Sequence, residues 1–515
     1  MQSLAVFTLI VLPWMNPFAP GPSPATLPLL FSLGCATLLA ACLWCGPRQF
    51  LQTRLAEVTA WAWLAAGLLS SGVGLLQYFG IADLFSPWIS QTRPGEAFAN
   101  LRQRNQFASL CNMALVGLLF LAWRAGASGA GLRQPPGRWP WLWPLLALVL
   151  AAGNAASASR TGTLQLLLVC GLFWWWGGWQ QPRSRWVMVA AVMGYVAASF
   201  LLPWLAGLDP FNNGAAARFR AGDAVCVSRL TLWSNVLHLI SLRPLFGWGW
   251  GELDYAHYMV LYAEPRFCEI LGNAHNLPLH LAVELGIPVA MVVCGACSCL
   301  VVRARPWRET CPARQMAWGV LAVLALHSLL EYPLWYGPFQ MTVGLCVLLL
   351  WRSSPGPASL SPDSPDSSDP PVSPQVLLFS GVASAAVLTA LVLAALDYRR
   401  VRQIYLPEQQ RDAAYQTDTV NRIRDTRLFM DQVRFAELSI TPLAPDNARW
   451  TFDTAQALLH FSPEPRVIEK LIESAVMLGR DDEALMHLAR YRAAFPQDYA
   501  RWQRTVAMPA AQPPQ

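Results

Sequence analysis

The chain has 515 residues, of which 54% are hydrophobic and 13% charged, roughly half the charged fraction of an ordinary soluble domain. This excludes a water-soluble fold for most of its length. The net charge of +6 comes from arginines scattered singly between apolar runs rather than gathered in a stripe, so no nucleic-acid partner is expected.

In chain order the apolar runs lie near the ~20 residues that a helix needs to cross a hydrocarbon core. The predicted spans are 4–20, 26–45, 58–80, 106–123, 140–158, 161–178, 186–206, 277–301, 316–331, 337–351 and 375–396. The first run has no cationic leader and no small-residue cleavage site, which predicts a retained helix rather than a signal peptide. With a cytoplasmic N-terminus, every inside loop carries arginine: Arg48 and Arg54; Arg124, Arg133 and Arg138; Arg183 and Arg185; Arg303, Arg305, Arg308 and Arg314; and Arg352. That pattern satisfies the positive-inside rule. The outer face then receives the 81–105 loop, the SASRTG turn, the long 207–276 loop, the EYPLWYG turn and the C-terminal tail.

The expected architecture is therefore all-α: a polytopic membrane protein of about eleven transmembrane helices with a C-terminal helical domain outside the membrane. Residues 1–351 form the transmembrane catalytic domain, with 207–276 as its outer loop. Residues 352–374, rich in Ser, Pro and Asp, read as a disordered cytoplasmic linker, because they have too little apolar surface to offset their ordering entropy. A last span over 375–396 leads to a helical domain over 397–515. Within that domain the segment from Leu471 to Pro496 has the pattern of a tetratricopeptide-like hairpin. One such unit does not close its own core, so helices around Ala455 to Phe461 are expected to pack on it.

Four polar clusters share the predicted outer face. GNAHNLPLHLAVELGIP (272–288) puts His275 and Asn276 just before an apolar run. Imidazole is the side chain that titrates near neutral pH and so serves as a base, although a plain interfacial cap is an equally simple role for a lone His. Glu284 lies further along with His280 one turn before it, an intramembrane carboxylate with a candidate partner. The spacing of His275, His280 and Glu284 is not that of a zinc helix. Arg160 in SASRTG and Arg229 before LTLWSNVLHLISLRPLFGWGWG run against the charge bias. A guanidinium fork there suits phosphate oxygens, with lipid phosphate and Asp223 as the alternatives. The Gly247–Gly249–Gly251 run lacks the lysine and strand of a phosphate loop and reads as a flexible loop hugging the membrane. LHSLLEYPLWYGPF carries His327, Glu331 and Tyr332 at one depth, and LRQRNQFAS brings Arg102, Gln103, Arg104 and Asn105 to a helix start. Cys226 and Cys268 are the two cysteines of the outer loop, where an oxidising compartment permits a bond.

QRNQFAS, SASRTG, RLTLW…RPLFGWGWG, AHNLPLHLAVELG and HSLLEYPLWY, in this order over residues of about 100 to 340, resemble the O-antigen ligase and polymerase superfamily. The resemblance is to its PglL-type branch of bacterial protein O-oligosaccharyltransferases in particular. It implies an inner-membrane enzyme with its active site and C-terminus in the periplasm. The donor it implies is a polyprenyl-diphosphate-linked oligosaccharide, and the acceptor is a Ser or Thr hydroxyl of an exported protein such as a pilin. By the same resemblance His275 and Tyr332 are the catalytic residues and Arg160 and Arg229 engage the donor diphosphate. Asn276, Gln165, Asn105, Glu284 and Glu331 support them. Cofactors are expected to be none, and the sequence shows no acidic metal motif on the outer face.

Within this class the alternative acceptors are lipid A core sugar, as for a ligase, or the growing repeat unit, as for a polymerase. A secondary transporter would show inverted repeats and ionisable groups near mid-membrane; the chain shows no such repeat, and its polar residues crowd one surface rather than the middle. A membrane scaffold would leave the outer-face His and Arg residues without a role.

Overall fold

A computed structural model describes residues 1–16, 25–46, 48–127, 141–214, 218, 224–353 and 374–507. These residues form helices and short 3-10 turns and no strand. Seven of the helical segments are long and apolar enough to cross a membrane: Thr26–Cys45, Leu55–Tyr78, Arg104–Gly126, Pro182–Leu205, Ile287–Arg308, Pro312–Leu330 and Leu377–Tyr405. Many of their large apolar side chains lie on the outside, among them Leu378, Phe379, Met291 and Val292, which is stable in lipid and costly in water. The chain is a membrane protein. Helices occupy every place at which the sequence predicts a span, and one prediction needs correcting. The 277–301 run is two helices, Leu277–Leu285 and Ile287–Ala304, interrupted at Gly286. The cause is local: Gly286 has φ +88°, and a Cβ there would lie 2.1 Å from the Leu245 carbonyl oxygen, so an uninterrupted helix does not fit against the 245–249 strap. Most of the expected 352–374 linker lies outside the described residues.

The chain divides into two compact units, one of residues 1–222 and 299–393, the other of 223–298 and 394–515. In the first, Arg104–Ala127 is the central helix. It is packed by Leu55–Tyr78, Leu142–Ala156, Arg160–Trp175, Pro182–Leu205 and Pro312–Leu330 and buries Phe107, Leu110, Met113, Val116 and Leu118 completely. Small residues let these helices approach closely: a Cβ on Gly117 would stand 3.0 Å from the Ala60 carbonyl oxygen. Gln77, fully buried at the end of its helix, fixes the following loop. Its amide nitrogen donates to the carbonyls of Ser90 and Ala99 and its oxygen accepts from the N–H groups of Phe98 and Ala99.

In the second unit the outer loop folds as Arg229–Leu242, Leu253–Met259 and Leu277–Leu285 around Leu232, Val236, Leu239, Phe267, Leu271 and Val283. The C-terminal helices Met430–Ile440, Ala448–Leu458, Pro465–Met477 and Asp481–Ala494 share a second core of Phe452, Ala455, Leu458, Leu471 and Tyr491. The predicted packing of the 455–461 region on the hairpin is present. This core also takes in Tyr258 from the outer loop, whose hydroxyl meets His487 Nδ1 at 3.0 Å. Arg490 Nε donates to the Met259 carbonyl, His460 Nδ1 lies 2.7 Å from Glu252, and the His460 ring stacks on Tyr255 at 3.8 Å. The tail thus grips the 252–259 segment.

Candidate active site

Both arginines stand at the first position of a helix opened by a serine cap. In the first unit Ala158 takes a left-handed backbone, φ +49°, and turns the chain after Ser157, whose hydroxyl donates to the Asn154 carbonyl and accepts from Ser159 N–H. Ser159 Oγ then accepts from Gly162 N–H at 3.0 Å, a standard cap for the orphan amides of a helix start. Gly162 is required here because a Cβ would lie 2.5 Å from that of Ala108 and 2.4 Å from Asn154 Oδ1. SASRTG is therefore a turn, a cap and a close helix contact in six residues, and it leaves Arg160 exposed at the helix start.

The same construction recurs in the second unit. Ser228 Oγ accepts from Thr231 N–H at 3.1 Å and opens Arg229–Leu242. Trp233, one turn further on, donates its Nε1–H to the Ala274 carbonyl at 3.1 Å, immediately before His275. At the opposite end of the same pair, the Pro244 carbonyl accepts from Ile287 N–H at 2.8 Å. These contacts make Arg229–Leu242 and Leu277–Leu285 a parallel pair, so that Arg229, His275 and Asn276 share the end where both helices begin. His275 has φ +50°, a left-handed conformation that costs a residue with a side chain about 1–2 kcal/mol. Its N–H donates to Asn273 Oδ1 at 2.9 Å, and Asn276 caps the helix by accepting from Leu279 N–H at 3.1 Å. Capping thus falls to Asn276 and not to His275. Two helix N-termini and a guanidinium at one end make an electropositive setting suited to an anion.

The structure brings some predicted residues together and sets others apart. Glu284 and His280 form a buried pair, Nε2 to Oε2 3.4 Å, and Glu284 sits nine residues after His275, at the far end of Leu277–Leu285. The 247–251 run is neither a phosphate cradle nor a loose loop. Trp248 N–H donates to the Val283 carbonyl and Gly249 N–H to that of Glu284, while Arg243 stacks over the Trp248 ring at 4.1 Å. Asn105 and Glu331 are bonded to each other at 3.0 Å. Gln165 is fully buried, where it donates to Ser109 Oγ and the Val323 carbonyl. It ties helices together and does not share the exposed position of Arg160. Tyr332 stacks on Tyr336 with centroids 5.9 Å apart beside Gln103, Gln106, His327 and Glu331 around one small cleft.

Sequence reasoning passed over Ser159, Ser228 and Asn273, although a serine directly before a helix start is a readable cap signal. It also passed over Ser109, whose hydroxyl lies 2.8 Å from His327 Nδ1. Cys226 and Cys268 are paired as a disulfide, Cα to Cα 5.3 Å over a separation of 42 residues. The bond fixes the stretch that ends at the Ser228 cap. Among the described residues no group of three or more His, Cys, Asp or Glu side chains gathers as metal ligands.

Three family profiles match the chain: that described as O-Antigen ligase over residues 145–294, as Protein glycosylation ligase over 97–122, and as Virulence factor membrane-bound polymerase, C-terminal, over 315–509. The first two take in both capped arginines, His275 and the Asn105 helix start. Two proteins of Acinetobacter baylyi are similar to it. A general O-oligosaccharyltransferase is 22% identical over 323 residues, 59% of this chain and 52% of the relative. A ComP-specific O-oligosaccharyltransferase is 23% identical over 290 residues, 56% of this chain and 50% of the relative. The chain spans about half the length of the relatives it matches. Taken with the helical membrane fold, these matches make the chain similar to O-antigen ligases and protein glycosylation ligases over the residues matched.

Proposed function

We propose that this protein is a bacterial oligosaccharyltransferase that moves a glycan en bloc from a polyprenyl-diphosphate lipid to Ser or Thr hydroxyls of exported proteins, such as pilins, at the periplasmic face of the inner membrane. The observation that carries the reading is that Arg229 and His275 stand at the same end of two parallel capped helices, where both begin. In this scheme His275 accepts the proton of the acceptor hydroxyl as its oxygen attacks the anomeric carbon. The new glycosidic bond forms while the bond to the diphosphate breaks, and the electron pair departs with the lipid diphosphate. Arg229 and Arg160 hold the charge that develops on that leaving group, and Tyr332 is a further site residue. No step asks for a metal ion.

Counting the shorter helices Gln2–Met15, Leu142–Ala156, Arg160–Trp175 and Gly337–Arg352 as spans gives eleven. An odd number places the N-terminus and tail on opposite sides, with the arginine-bearing loops cytoplasmic. The Cys226–Cys268 bond supports an oxidising, periplasmic location for the outer loop, the other described cysteines being free. The tail hairpin then serves as a periplasmic, tetratricopeptide-like module.

Expression in a glycan-producing bacterial host that lacks its own transferase tests the reading. Mass spectrometry is expected to find glycan on periplasmic protein. Glycan on lipid A core would make the chain a ligase, and glycan on neither would remove the proposal.

A further inference from the structure

We propose that Glu331 is a positioning residue for Arg160, acting through a hydrogen-bond chain that fixes the start of the Arg160–Trp175 helix. The proposal rests on the assignment of Arg160 to the donor diphosphate and deepens it. Glu331 lies just past the Pro312–Leu330 helix and is 5% exposed. Its Oε1 accepts from Asn105 Nδ2 at 3.0 Å. Asn105 Oδ1 accepts from the Ser159 hydroxyl at 2.6 Å, and Ser159 Oγ, 1% exposed as a residue, accepts in turn from Gly162 N–H at 3.0 Å. Three elements far apart in sequence thereby meet at the cap that precedes Arg160.

The direction of every bond in this chain follows from its first member. The Glu331 carboxyl oxygen Oε1 accepts, so the NH2 side of Asn105 is turned toward it. The amide oxygen then faces Ser159 and takes the hydroxyl proton. With its proton committed, the serine can only offer a lone pair to Gly162 N–H, which is what an N-cap requires. Removing Glu331 frees the Asn105 amide to rotate and present NH2 to the serine. The hydroxyl proton then has no fixed acceptor, and the orientation of the cap is no longer held. Arg160 is the first residue to feel this, and small displacements of a group that holds a reacting phosphate cost rate steeply.

The test uses purified full-length protein, a synthetic polyprenyl-diphosphate oligosaccharide as donor and a Ser-bearing acceptor protein. Glu331→Ala should raise the donor KM about tenfold or more and leave the acceptor KM unchanged. Glu331→Gln should recover most of the donor affinity, because a carboxamide oxygen still accepts from Asn105. In an Arg160→Ala background, Glu331→Ala should have no further effect on donor binding, since the residue it positions is gone. A Gln variant as defective as the Ala variant would show that the charge acts directly and would overturn the proposal. So would a Glu331→Ala loss that persists in full without Arg160. An Arg160→Ala protein that binds donor normally sinks the assignment of Arg160 itself, a result read from that variant alone. If Glu331→Ala does not fold, Ser159→Ala breaks the same chain one link along and is subject to the same comparisons.

Discussion

Replacing His275 with Ala should abolish transfer while leaving donor binding nearly intact, because the imidazole is assigned to proton removal and not to holding the diphosphate. Replacing Arg229 or Arg160 with Ala should weaken donor binding as well as rate, and Lys should restore only part, since it keeps the charge without the bidentate fork. Isothermal binding of donor together with single-turnover transfer separates these effects, and an active His275→Ala protein would contradict the assignment. At this scale the site was partly legible. Arg160, Arg229, His275 and Tyr332 stand out in the sequence as polar residues at the ends of apolar runs. The contacts that shape them did not, because Asn105 and Glu331 are 226 residues apart. The left-handed backbone of His275 likewise leaves no mark in a residue type that is not glycine. Glu284 was legible in this respect: His280 one turn before it reads as its candidate partner, and the fold pairs the two.

At the scale of elements, apolar run length located helices at the predicted spans, but it revealed neither Arg229–Leu242 and Leu253–Met259 within the 207–276 loop nor the break at Gly286. There the 245–249 strap leaves no room for a side chain, and the steric requirement is set by a segment forty residues earlier. Gly286→Ala should therefore unseat the strap and lower the melting temperature of the detergent-solubilised protein, with accelerated proteolysis near 245–251. An unchanged melting profile would argue against the strap. The Cys226–Cys268 loop of 42 residues should stabilise the outer loop by about 4 kcal/mol in the chain-entropy model. Cys226→Ser should accordingly show earlier thermal unfolding, and thiol labelling of the wild type should leave both cysteines unmodified. The segment gripped by the tail has its own pH signature. Burial pushes the Asp254 carboxyl up to about 6, against the opposing Tyr255 N–H and with nearby Glu252 adding to the rise. A raised carboxylate pKa means that the folded state holds its proton longer than the unfolded one. Stability from this group is full below about pH 4 and is lost as pH rises through about 6. Asp254→Asn should raise the melting temperature at pH 8 and leave it unchanged near pH 4. The reverse pattern would show that the carboxylate is stabilised in its charged form.

At the scale of the whole molecule, composition and run length were enough to identify a helical membrane protein with further helices in its C-terminal part. They did not show that the outer loop and the tail fold as one unit, because that grouping depends on Tyr258, His460 and Arg490 contacts between distant segments. The proposed eleven spans place residue 515 in the periplasm. Alkaline phosphatase fused after Gln515 should thus be active, whereas an inactive but expressed fusion would mean that a span is miscounted. The central claim is that one polypeptide transfers an intact glycan from a lipid diphosphate to a protein hydroxyl. The most direct measurement reconstitutes the purified chain with polyprenyl-diphosphate oligosaccharide and an exported Ser-bearing protein, and follows glycoprotein and free polyprenyl diphosphate together. The account predicts that the two products appear in equal amounts with the wild type and that neither appears with His275→Ala. Release of polyprenyl diphosphate without glycoprotein, or transfer undiminished in His275→Ala, would contradict it.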